Sequence, residues 1–128
     1  MITEDYVSFE IAKLLKEKGF DTPCNCYGAY NGVNLTYRLC ITGKYTNWNK
    51  HTDKLIISCP TQQMVMKWLR EVHNICIVVT PSMFWGKYNV SIYKKDTDYP
   101  IGFDGDSLIP SYEQACNAAI KYCHENLI

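Results

Sequence analysis

The sequence predicts an α+β domain in the order α-β-β-α-β-β-α, an antiparallel sheet with helices packed on one face. Three observations predict it. Apolar residues fall at helical spacing near the start, in the middle and at the end of the chain. Short alternating apolar runs lie in pairs between those helices. No internal repeat, low-complexity tract or linker interrupts them. At 128 residues the chain is one domain's worth, so residues 1–128 are expected to form a single domain.

The first helix lies within residues 3–18. Val7, Ile11, Leu14 and Leu15 form its apolar stripe, and Thr3 or Ser8 can cap its start. Gly19 ends it, with Phe20 placed to fold back on the last turn. "DTP" at 21–23 forces an extended exit, because proline disfavours α geometry at Thr22. "VNLTYRLCI" (33–41) reads as a strand with Val33, Leu35, Tyr37, Leu39 and Ile41 on one face, and "KLIISC" (54–59) as a second. The polar stretch "TGKYTNWNKHTD" between them reads as a long loop, which fits the tip of a hairpin.

"CPTQQMVMKWLREVHNI" (59–75) is the sharpest helix signal, with Thr61 as N-cap and a helix over about 62–73. At about 100° per residue, Met64, Trp68, Val72, Val65 and Leu69 share an arc of about 140°. That arc is written for packing, and Met66 falls on the wet side with Arg70 and His73. "ICIVVT" (75–80), stopped by Pro81, and "YNVSIYKK" (88–95), with Tyr88, Val90 and Ile92 inward, form a second hairpin around "PSMFWG". Ser111 and Gln114 make an S-x-x-Q capping box for the last helix. Its stripe holds Tyr112, Ala115, Cys116, Ala119, Ile120, Tyr122, Cys123 and Leu127, with His124 on the polar face.

Composition removes several functions. Hydrophobic residues are 47 % and charged residues 20 %, a globular balance. Thirteen basic against 13 acidic residues argue against a dedicated DNA coater, which needs a basic excess. No apolar run approaches the roughly 18 residues of a membrane span. The start, "MITEDYVSFEIAKLL", has acids where a signal peptide needs bases, so a cytoplasmic location is expected. Seven cysteines then read as reduced thiols.

No readable catalytic motif is present: G-x-x-x-x-G-K-[ST], G-x-G-x-x-G, G-x-S-x-G and H-E-x-x-H are all missing. "CNC" at 24 and 26 lacks zinc-knuckle spacing, though these two are the thiols expected to be exposed. Asp96, Asp98, Asp104 and Asp106 sit among Gly and Pro and suit turns rather than a calcium loop. The chain is therefore expected to be no enzyme and to use no metal or cofactor.

Two surfaces remain as binding candidates. The 38–54 loop carries Arg38, Lys44, Tyr45, Trp48, Lys50 and Lys54, and cations interleaved with rings suit single-stranded nucleic acid. Four such bases are few for a phosphate tract, which favours an ordinary loop with Trp48 tucked inward. Met83, Phe84 and Trp85 at the second hairpin turn, with Met66, are candidates for a protein interface. Ten tyrosines and three tryptophans point the same way, since aromatics serve interfaces as well as cores.

"FDTPCNCYG", "PTQQMVMKWLREVHNI" and "SYEQACNAAIKYCHENLI" resemble small proteins encoded in prophages and mobile elements of Bacteroides-type gut bacteria. Pro60, Thr61, Gln63, Lys67, Trp68, Leu69, Arg70, Glu71 and His73 fit the motif P-T-x-Q-x-x-x-K-W-L-R-E-x-H, and Tyr112, Glu113 and Ala115 fit a terminal Y-E-x-A pattern. The resemblance covers the three helices and not residues 27–55. It implies a phage or mobile-element setting in bacterial cytoplasm, and carries over no catalytic or binding residue. The expected role is an accessory module contacting another protein or a second copy of itself, with single-stranded nucleic acid the alternative and an enzyme of unreadable class a further one.

Overall fold

The computed structural model describes residues 4–29, 38–50, 55–83, 86–97, 100–101 and 109–128. They form three α-helices and two antiparallel sheets, an α+β fold. Their contacts gather into two compact units, Met1–Thr61 and Gln62–Ile128.

In the first unit, α1 spans Phe9–Glu17. Ser8, in extended geometry, is the cap and accepts the Ile11 N–H at 3.3 Å; Thr3 lies outside the described residues. At the other end Gly19 takes a φ of 84°. Phe20 N–H reaches the Leu15 carbonyl at 2.9 Å and Gly19 N–H reaches that of Lys16 at 3.3 Å. This is the paired-bond Schellman stop, which needs a left-handed residue at that point. Phe20 is thereby folded into the core beside Val7, Ile11, Ala12 and Leu15.

The sheet of this unit holds a strand that the sequence pattern concealed. β1 (Cys24–Ala29) is its centre, flanked by β2 (Arg38–Thr46) and β3 (Ile56–Ser58) in the order β2-β1-β3. Both neighbours run antiparallel to β1, so β2 and β3 do not pair with each other as the expected hairpin. Burial in β1 alternates with period two, but its inward residues are Cys24, Cys26 and Gly28, which carry little apolar bulk. The expected exposure of Cys24 and Cys26 is therefore corrected: both are fully buried.

β2 begins within the predicted strand and runs on into what reads as a loop. Residues 33–37 lie outside the described residues. A large bulge separates the Cys26–Ile41 pair from the Cys24–Thr46 pair. Thr42 closes it: the hydroxyl donates to the carbonyls of Asn25 (3.2 Å) and Lys44 (2.9 Å) and accepts the Lys44 N–H (3.3 Å). The chain then makes a 3₁₀ turn, Trp48–Lys50. There Asn49 donates to the Phe20 carbonyl at 2.8 Å and accepts the Ser58 N–H at 2.9 Å, fastening the turn to β3.

In the second unit, α2 (Gln62–Val72) leads into the hairpin β4 (Ile75–Pro81) and β5 (Tyr88–Lys94), and α3 (Tyr112–Asn126) closes the chain. Asn74, at a φ of 56°, makes the sharp turn from α2 to β4. The hairpin pairs regularly from Ile75–Lys94 to Pro81–Tyr88, with Pro81 ending β4 as its last residue. Ile101 and Ile109 bridge to Ile92 and Tyr88 along the other side of β5. Ile75, Ile77 and Ile92 are buried on the face that meets α2 and α3.

Both helices bury broader or shifted arcs than the sequence predicts. Trp68, Val65 and Leu69 are core residues of α2 as expected, but Val72 is 56 % exposed at the last turn and Met66 is buried. On the wheel the buried arc is rotated by about 50°, away from Met64 and onto Gln62 and Met66. Gln62 can lie inside because its side-chain amide donates to the Glu113 carbonyl at 3.0 Å. In α3, His124 moves from the expected polar face to full burial. Its Nδ1 lies 2.8 Å from the Ile120 carbonyl, one turn back. Its ring stacks on Trp68 at 5.9 Å, while His73 meets the same indole edge-on at 4.6 Å. Ser111 caps α3 as predicted, accepting the Gln114 N–H at 3.1 Å.

Candidate interaction surface

Among the described residues, the most exposed apolar side chains of the first unit stand on either side of the β2 bulge. Ile41 is 61 % exposed and Tyr45 67 % exposed, and Gly43 and Lys44 between them are also open to solvent. The bulge explains why. A regular strand would carry residues 42–45 along the ladder, whereas the Thr42 hydroxyl turns the backbone outward and ends pairing over that stretch.

Tyr6 bridges to Thr61, and its phenol reaches the Asn25 side chain of β1. Burial, then the neighbouring Cys26 and Glu4, push the Tyr6 phenol up from its ordinary 10.0; a hydrogen bond with the Asn25 side chain works the other way. Tyr45 is near enough to add a smaller upward push.

The residues of the 38–54 candidate separate into different roles. Lys44 and Tyr45 stand out on the bulge, and Lys50 is exposed at the end of the 3₁₀ turn. Trp48 is turned inward: its indole N–H donates to the Cys24 carbonyl at 2.9 Å and its ring packs on Tyr27 at 4.4 Å. A ring held this way has one face and its polar edge already occupied, which leaves Tyr45 as the open ring. Arg38 is the first residue of β2. His51 and Lys54 lie outside the described residues.

The second candidate divides as well. Met83 is 97 % exposed at the β4–β5 turn, while Phe84 and Trp85 lie outside the described residues. Met66 is corrected from surface to core. Sequence reasoning missed Ile41 as a surface residue because strict alternation assigned it inward. Its neighbour in register, Cys26, is indeed buried, but Ile41 lies on the sheet's outer strand with nothing described beyond it.

Groups suited to chemistry are sparse among the described residues. No three His, Cys, Asp or Glu side chains come together in a way that could hold a metal ion. The six cysteines whose side chains are described are free thiols, and all of these but Cys76 are buried. Asp96 takes a φ of 70° in the turn after β5, a turn role; Asp98, Asp104 and Asp106 lie outside the described residues. A groove of about 280 Å³ follows α1, lined by Phe9, Glu10, Lys13, Leu14 and Glu17. These residues come from a single helix, whereas small-molecule sites gather polar groups from several elements. No described helix is long and apolar enough to cross a membrane.

No family model, curated protein or solved structure gives a match to this chain.

Proposed function

We propose that the chain is a non-enzymatic accessory module that binds another protein through the β2 edge and its bulge. The observation that carries this is the pair Ile41 and Tyr45, 61 % and 67 % exposed on an outer strand whose bulge is held open by Thr42. Large apolar side chains grouped on a surface lower their free energy by leaving water, and tyrosine gives much contact area for little lost side-chain entropy. The resemblance to prophage and mobile-element proteins supplies the setting, a partner met in bacterial cytoplasm.

The single-stranded nucleic-acid reading draws on the same surface through Lys44, Tyr45 and Lys50. It has fewer cations than a phosphate tract calls for, and Trp48 is engaged with Cys24 and Tyr27. One experiment separates the two. A benzoyl-phenylalanine photo-crosslinker replaces Tyr45 in the full chain, and another replaces Glu125 on α3 as control. The proposal expects a discrete protein adduct from position 45 that disappears with Ile41→Ser and does not form from position 125. Adducts that nuclease removes, or identical adducts from both positions, overturn it.

A further inference from the structure

We infer that the outer edge of β2 receives an extended, acidic segment of the partner by strand addition. This rests on the reading of β2 as the contact surface and specifies how the contact is made and with what. The backbone comes first. Cys59 N–H donates to the Cys26 carbonyl, so Cys26 directs its peptide groups toward β3. In an antiparallel ladder direction alternates, and Asn25, whose carbonyl takes the Thr42 hydroxyl, accordingly faces β2. Ile41 stands opposite Cys26 and Leu39 opposite Gly28. Both therefore turn their N–H and C=O away from β1, to the outside of the sheet.

Outward groups on β3 and β5 are covered. On β3 the Ser58 N–H is taken by Asn49 and the Ile56 carbonyl by Lys16 at 3.3 Å. On β5 the Ile92 carbonyl and the Tyr88 peptide groups are taken by Ile101 and Ile109. Among the described residues no such bond is made to the outward groups of Ile41. A strand lying about 4.8 Å away would satisfy them, with Ile41 and Tyr45 giving apolar contact alongside.

Charge selects the occupant. The β2 sequence, RLCITGKYT, carries Arg38 and Lys44 and no acid, and Lys50 is exposed close by in sequence. A second copy paired on this edge would set like charges together, and the bulge would break its register; lysine and bulges are the usual guards against edge-to-edge self-pairing. The phosphates of a polynucleotide would meet the cations but not the outward carbonyls, because phosphate oxygens only accept hydrogen bonds. An acidic peptide in extended form supplies alternating N–H and C=O for the edge and carboxylates for the cations.

The test is a selection of displayed random nonapeptides on the full chain, followed by synthesis of the leading peptide. Enriched sequences are expected to gain Asp and Glu over the starting library. Affinity of the synthetic peptide is expected to fall about tenfold in Lys44→Glu. N-methylation of alternate peptide residues is expected to abolish binding in one register and leave it intact in the other. Peptides with no acidic gain, or indifference to both N-methylation patterns, overturn strand addition by an acidic segment; the contact surface still stands if those peptides fail to bind Ile41→Ser/Tyr45→Ser. If nothing is enriched, or the selected peptides bind that double variant unchanged, the surface itself falls as well.

Discussion

Burial pushes the Cys123 thiol from an ordinary 9.0 up to about 12. The fold therefore holds the neutral thiol, and its contribution is intact below pH 9 and lost as pH rises from 9 toward 12. The urea midpoint is expected to drop across that window, and to drop less in Cys123→Ala. At pH 8 the buried thiols Cys24, Cys26, Cys59, Cys116 and Cys123 should resist alkylation while half-exposed Cys76 reacts, as peptide mass mapping of the native protein would read. His73 has the opposite sense. Burial, with Lys94 adding to it, lowers its pKa from 6.5. Neutral His73 is the form the fold prefers, so its contribution is present above pH 6.5 and is lost as pH falls below it. Urea midpoints at pH 7 and pH 5 are expected to differ more in the native chain than in His73→Gln.

Helix ends and helix faces carry the stability at the scale of elements. Trp68 is 5 % exposed between two histidine rings, so Trp68→Ala is expected to cost about 3–5 kcal/mol in chemical denaturation. Ser111→Ala removes the acceptor of the Gln114 N–H and should cost about 0.5–2 kcal/mol. The helices were legible because a 3.6-residue period survives one or two wrong residues. Their edges were less so. Gln62 and His124 are polar side chains whose partners lie at Glu113 and Ile120, and polarity alone placed His124 outside. β1 was illegible for a different reason: its inward positions are Cys, Cys and Gly, so the alternation exists in burial without showing in hydrophobicity.

For the whole molecule, the decisive comparison is between stability and binding. Ile41 and Tyr45 are already exposed, so Ile41→Ser/Tyr45→Ser is expected to stay within about 0.5 kcal/mol of native stability while losing the partner. Equal loss of both in thermal melting and crosslinking would mean that the two side chains serve folding rather than contact. The absence of acids on β2 belongs to this scale too, because it matters only once the strand is known to lie at the edge of its sheet.

The amino-acid sequence by itself determined the α+β class, the three helices with the Ser111 cap and the Gly19 stop, and the second hairpin. All of these depend on local periodicity and on backbone preferences within a few residues. Tertiary structure alone decided that β1 separates β2 from β3, that the strands form two sheets, that Met66 and His124 are buried, and that Ile41 and Tyr45 face outward. The sheet order and the outward Ile41 and Tyr45 depend on which strands pair with β1 and which edge is left over, and the two burials on how α2, α3 and the β4–β5 hairpin pack; such long-range contacts leave no trace in the spacing of residues along the chain.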